Sequence, residues 1–140
     1  MGFNSSREFR EVMDKVFEIM STDPDMGPQL RDAEVPQRFE FPDMDMVVNI
    51  TYATGSEDGN NLRWEWTDDV DWDPEVEMSM DSEVANRYFQ GKENIAMAVA
   101  RRRIKTSGNL KKALALVPIT KPVYAQYRDL VEAEYPHLAE

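Results

Sequence analysis

The chain of 140 residues has no cysteine and a single histidine, His137, close to its C-terminus. Without cysteine there is no disulfide framework, no thiolate nucleophile and no thiolate metal site. One terminal histidine nearly excludes Ser-His-Asp, Cys-His and histidine-rich metal constellations. Phosphate loops are missing too: there is no Gly-x-x-x-x-Gly-Lys-Ser/Thr and no Gly-x-Gly-x-x-Gly element. No window approaches eighteen apolar residues, and the N-terminal stretch MGFNSSREFREV lacks an apolar h-region, so neither a membrane span nor a secretion signal is expected. Basic residues are scarce, with 16 Lys and Arg against 27 Asp and Glu, a formal net charge of -11. Such a balance argues against nucleic acid as a partner and against adsorption on anionic membranes. These absences predict a cytoplasmic protein that is not an enzyme, needs no cofactor and inserts stably into no membrane.

Hydrophobic residues make up 41% and charged residues 31% of the chain, the composition of a protein that folds around a core. The length suits one domain spanning residues 1–140. Near the N-terminus, Ser5 and Glu8 have the spacing of a capping box. The helix it opens carries Phe9, Val12, Met13, Val16 and Met20 on one stripe. Asp23-Pro24 and Gly27-Pro28 interrupt that helix and leave room for a short second helix or a turn before Pro36. Alternation then takes over, at Phe39 and Phe41, at Met46, Val48, Ile50 and Tyr52, and at Leu62, Trp64 and Trp66, three strands with one buried face each. The turn-rich run Gly55 to Asn61 joins two of them as a hairpin.

Val76 to Leu116 carries the densest set of changes in period. Val76, Met78 and Met80 alternate with Glu77 and Ser79 as a strand that would extend the meander. Asp81 or Ser82 offers an N-cap, Val84, Ala85, Tyr88 and Phe89 recur at helical spacing, and Gly91 supplies a left-handed stop. Asn94 to Ala100 is apolar on almost every side, which predicts a buried helix or one lining an apolar cavity. Ile104 and Thr106 alternate with Arg103, Lys105 and Ser107 as an edge strand, and Leu110, Ala113, Leu114 and Val117 open another helix after Gly108-Asn109. Pro122 starts a last amphipathic helix with Val123, Tyr127, Leu130 and Val131. The expected fold class is α+β: about five strands, mainly antiparallel, with one sheet face covered by about five helices. The acidic run Asp68, Asp69, Asp71 and Asp73 has alternating carboxylates but fails as an EF-hand. Counting from Asp69, the sixth position is Pro74 and the twelfth is Met80, where glycine and glutamate are required. No metal site is expected.

In the order Met78-Ser79-Met80-Asp81, Gly91-Lys92-Glu93-Asn94 and Ile104-Lys105-Thr106-Ser107-Gly108-Asn109, the chain resembles the sterol carrier protein type two (sterol-binding domain) family. Members run from a strand into an acidic helix cap, reach a Gly-Lys-x-Asn turn, pass a small-residue helix and enter a basic-apolar strand ending in Gly-Asn or Gly-Asp. Where members often carry a glycine just before that strand, Ala100-Arg101-Arg102-Arg103 stands here. The resemblance implies a non-catalytic carrier of a fatty acid, fatty acyl-CoA, sterol or phospholipid, held in an apolar tunnel between sheet and helices. The tunnel candidates are Trp64, Trp66, Met78, Met80, Phe89, Ile95, Ala98, Val99, Leu110 and Leu114, with plain core packing as the other use of the methionines, tryptophans and small alanines. Arg103 and Lys105, from a basic run free of acidic residues, are assigned to a headgroup. Nine methionines suit such a role, because the unbranched thioether repacks around varied ligands. The alternative is a non-catalytic interaction module that docks a protein partner, or a second copy as a homodimer, and carries no lipid. A carrier needs an apolar void of roughly 300 Å³ or more, whereas a docking module can be solid inside.

Overall fold

The computed structural model describes residues 2–53 and 59–140. Most of the hairpin connector read at Gly55 to Asn61 therefore lies outside the described residues. Helix α1 (Ser6–Thr22) starts where the Ser5 hydroxyl accepts the Glu8 N–H at 3.1 Å. The Glu8 carboxylate reaches back to the Asn4 N–H at 3.0 Å, one residue earlier than the standard capping box. Asp23 then caps the next turn. Its Oδ1 accepts from the N–H groups of Asp25 and Met26 at 2.9 and 2.8 Å, which opens α2 (Met26–Ala33). These bonds favour the ionised carboxyl and hold Asp23 below its ordinary value, Met26 more than Asp25.

Five strands follow: β1 (Gln37–Phe41), β2 (Met46–Tyr52), β3 (Leu62–Glu65), β4 (Val76–Met80) and β5 (Ile104–Gly108). Between them and after them come α3 (Ser82–Phe89), α4 (Ile95–Ala100), α5 (Leu110–Thr120) and α6 (Val123–Glu134). The sheet is mostly antiparallel, in the order β3-β2-β1-β4-β5, and its one parallel pair is β1 with β4. The meander anticipated from sequence stops at β3. β4 does not pair with its predecessor; the ten-residue connection 66–75 lets it return beside β1, with Phe39 opposite Met78. The placement puts the strand whose alternate residues Val76, Met78 and Met80 are all buried into the interior of the sheet. Trp66, read as a strand residue, lies one position past the end of β3.

Register places Phe39, Phe41, Val48, Ile50, Leu62, Trp64, Met78, Met80 and Ile104 on one face, where the helices cover them. The opposite face carries Arg38, whose guanidinium lies 2.9 Å from both Glu40 and Glu77. That face is itself partly roofed near β2 and β3. Asn49 is buried with its amide donating to the Thr67 carbonyl at 2.7 Å, and the Arg63 guanidinium stands 4.7 Å above the Trp72 ring.

Local chemistry fixes the joints. Ser21 ties the end of α1 to the start of β3: its hydroxyl oxygen accepts from the N–H groups of Asn61 and Leu62, both at 3.0 Å. Asp43, outside the helix itself, caps α3 by accepting from the Ser82 N–H at 2.9 Å and hydroxyl at 2.6 Å, while Asp81 makes no side-chain cap bond. Gly91 ends that helix region at φ +78, and Arg102 takes φ +62 just before β5. A left-handed residue thus stands where the resembling family carries glycine, and an arginine bears the conformation here.

The helix over Ile95–Ala100 is not buried. Ala98 alone is fully enclosed, and Met97 is 46% exposed, the one large hydrophobic residue so exposed among the described residues. A six-residue helix beside an edge strand has one face to bury, and its remaining alanines tolerate solvent because each exposes little apolar area. At the C-terminal end, Tyr127 donates to Asn86 Oδ1 at 2.6 Å and the Asn86 amide donates to the Leu138 carbonyl at 2.9 Å. Together these bonds dock the last turn onto α3 and α6.

Candidate functional site

Between the helical layer and the covered face of the sheet lies an apolar cavity of about 90 Å³. The sheet supplies Phe39, Phe41, Ile50, Met78, Met80 and Ile104, and α1 and α2 supply Met13, Phe17, Met20 and Leu30. Ala85, Tyr88 and Phe89 come from α3, Ile95 from α4, and Ala113, Leu116, Val117 and Thr120 from α5. Four methionines therefore meet there, two on the floor and two on the helical roof. This volume is well under the roughly 300 Å³ of an open small-molecule site.

Gln37, Thr51, Tyr52, Tyr88 and Thr120 bring polar groups to the lining, and the last two meet there. The Tyr88 and Thr120 hydroxyl oxygens are 3.1 Å apart, and the Thr120 hydroxyl also donates to the Val117 carbonyl at 3.1 Å. Burial pushes the Tyr88 hydroxyl well above the usual tyrosine value; the Thr120 bond opposes that shift and neighbouring Tyr124, edge-on with ring centroids 5.7 Å away, adds to it. The phenol therefore stays neutral and protonated at ordinary pH.

The residues assigned from sequence fall into separate places. Met78, Met80, Phe89 and Ile95 line the cavity. Ala98 is fully buried behind α4, and Val99 and Leu110 are half-buried against the core, but none of these lines the cavity. Leu114 is half-buried on the flank of α5, because that helix turns Ala113, Leu116 and Thr120 inward. Trp64 and Trp66 pack against Phe17 at 5.6 and 6.2 Å, and both indole N–H groups donate to the same oxygen of Asp14, at 3.0 and 2.7 Å. They face an open depression with Arg10 and Glu18 instead of the cavity. Arg103 is engaged by Glu93, whose carboxylate accepts from its Nε at 2.9 Å and its terminal nitrogen at 3.2 Å. Lys105 is exposed and adjoins a shallow depression with Arg38, Glu77 and Ser107.

Cavity residues that the sequence assignment passed over include the roof from α1 and α2, Phe39, Phe41, Ile50 and Ile104 on the sheet, Ala85 and Tyr88 on α3, and the inward face of α5. The α1 stripe was visible as a buried face, and its neighbourhood to Met78 and Met80 was not. Among the described residues no group of three acidic or histidine side chains is arranged to hold a metal ion, and no helix is long and apolar enough to cross a membrane. His137 pairs with Glu8 at 2.8 Å, away from the cavity.

The model of the SCP-2 sterol transfer family matches residues 56–121, which contain the ordered motifs from Met78 to Asn109. The resemblance read from those motifs is therefore shown over that span. Sterol carrier protein 2 from Yarrowia lipolytica, in its apo form, superposes with a TM-score of 0.55 at 16% identity, over 88% of this chain and 94% of that one. The sterol carrier protein domain 2 of Helicoverpa armigera gives 0.55 at 18% identity, over 82% and 87%. A ubiquinone synthesis protein described as UbiJ-SCP2 gives 0.61 at 8% identity, over 88% and 95%. The sec-alkylsulfatase Pisa1 from Pseudomonas sp. also matches, with 0.59 at 13% identity, but the chain spans only 15% of its length. At these identities the shared property is the α+β fold. No curated protein matches by sequence.

Proposed function

We propose that the protein binds a hydrophobic small molecule, of the fatty acyl or sterol type, in the cavity between the sheet and the helices, and carries it reversibly. The observation that supports this most is the lining: aliphatic, aromatic and thioether side chains from the sheet and from α1 to α5 converge on one void. Affinity comes from apolar area removed from water, at about 25 cal/mol per Å². At about 90 Å³ the void is too small for a whole acyl chain or sterol, so loading requires the wall to open. Met13, Met20, Met78 and Met80 are the adjustable part, since an unbranched thioether changes rotamer at low cost. Such a carrier needs no catalytic group, and the distance of His137 from the cavity lining fits a non-enzymatic role. The lack of cysteine suits a reducing compartment such as the cytoplasm.

A second reading is favoured by the same small volume and by exposed Met97 on α4: an interaction module whose interior is meant to stay closed. Native mass spectrometry of the purified protein, followed by solvent extraction, separates the two. A co-purifying lipid near one per chain is the carrier outcome. A protein that is empty, and that takes up no fatty acid when offered one, removes the carrier reading and leaves the module.

A further inference from the structure

The net charge of -11 is placed very unevenly along the chain. Residues 84–128 hold ten of the 16 cationic side chains and only one of the 27 acidic ones, Glu93. That carboxylate is nearly enclosed and already engaged, with Arg103 at 2.9 Å and Arg87 at 3.5 Å. Lys92, Arg101 and Arg102 flank α4 at its two ends, are exposed, and meet no carboxylate among the described residues. Between these cations α4 turns an apolar side to solvent: Met97 is 46% exposed, with Ala96 and Ala100 exposed beside it. The inward side of the same helix carries Ala98, fully buried, and Ile95, which lines the cavity. One short helix therefore separates the cavity from solvent there, and it is the place where the molecule shows apolar surface and unpaired positive charge together.

We propose that α4 is a docking surface for an anionic lipid bilayer, with Met97 seated among the headgroups and Lys92, Arg101 and Arg102 against lipid phosphates, and that the ligand enters the cavity past this helix. The proposal rests on the cavity being the lipid site. An apolar ligand partitions into bilayers and not into water, so a carrier has to meet one, and the helix that walls the cavity is where contact shortens the path. The match is one of charge and apolarity: free cations face a surface of negative potential, and a single thioether reaches the apolar boundary below it. The acidic remainder of the chain is repelled by the same surface, which turns α4 towards it. Attachment is peripheral and reversible, because three cations and one methionine supply far less than an anchoring helix would. A protein partner is served less well, since the exposed alanines offer neither an aromatic anchor nor a pocket for one.

The test is co-sedimentation of the full, delipidated chain with vesicles of dioleoylphosphatidylcholine, either alone or with about one third dioleoylphosphatidylglycerol, at low salt. Adsorption is expected on the anionic vesicles and not on the neutral ones. Arg101→Gln should weaken it roughly 5-fold, and Lys111→Gln, the same charge change at the other end of β5, less than about 2-fold. Met97→Ser should weaken it as well, by about 3-fold or more. Binding of cis-parinaric acid in vesicle-free solution is the second readout, and all three variants should keep it, which also shows that they fold. No adsorption of the unaltered protein, equal losses in Arg101→Gln and Lys111→Gln, or no loss in Met97→Ser overturns the docking surface. The carrier reading survives any of these results and α4 is then left to a protein partner. Failure of the unaltered protein to take up cis-parinaric acid overturns the carrier reading, and this proposal with it.

Discussion

Replacing Gly108 by alanine tests the packing that sets one wall of the cavity. Gly108 ends β5 at φ +82, and an added Cβ would stand 2.4 Å from the Glu75 carbonyl oxygen and 3.2 Å from the Glu75 carbonyl carbon and Val76 Cα. Every one of these atoms is backbone, so no side chain can swing aside. The left-handed conformation alone costs an alanine about 1–2 kcal/mol. Relieving the contact means parting β5 from β4 at the Val76–Gly108 pair and stretching the 2.8 Å bond from the Asn109 N–H to Glu75, which adds about 1–3 kcal/mol. We expect a loss near 3 kcal/mol, about 10 °C in Tm for a chain of this size. The control is Gly59→Ala, because Gly59 has nearly the same φ, +84, with nothing within 4 Å of the added carbon. It should lose only the conformational part. Urea denaturation of both variants measures the difference. Equal losses would refute the close-approach argument, and a Gly108→Ala loss under 1 kcal/mol would refute the geometry itself.

Two further outcomes follow from the cavity and from the α1–α2 joint. Ala113→Leu adds three carbons to a residue that lines the void, so stability should stay within about 1 kcal/mol while affinity for an apolar ligand falls about 10-fold or more; unchanged affinity by calorimetry counts against binding there. Asp23 has a folded-state value depressed below its ordinary 3.8 by the N–H groups of Met26 and Asp25, so its contribution is complete above that pH and is lost as pH falls through the folded value. The stability gap between the unaltered protein and Asp23→Asn should be flat from about pH 7 to 5 and shrink below about pH 4; a gap that persists at pH 2 would show that the charge is not what the cap uses.

The sequence alone determined the order and type of the elements, because periodicity and local capping are properties of a few consecutive residues. The stripe from Phe9 to Met20, the alternation at Val76, Met78 and Met80, the cap at Ser5 and the stop at Gly91 all act within a turn or two. The ordered motifs from Met78 to Asn109 also sufficed to show the resemblance that the family match bears out. Tertiary structure decided the rest. Whether β4 follows β3 or returns beside β1 depends on pairing residues 39 apart in sequence, Phe39 with Met78, and local period is the same in both arrangements. The apolar run Ile95–Ala100 reads alike buried or exposed, and only its position beside edge strand β5 left Met97 outside. The alternating tryptophans show only that Trp64 and Trp66 share a face, and Asp14, on α1, drew both away from the cavity. Likewise a tyrosine and a threonine 32 residues apart carry no mark of a shared hydrogen bond until α3 and α5 are packed around one void.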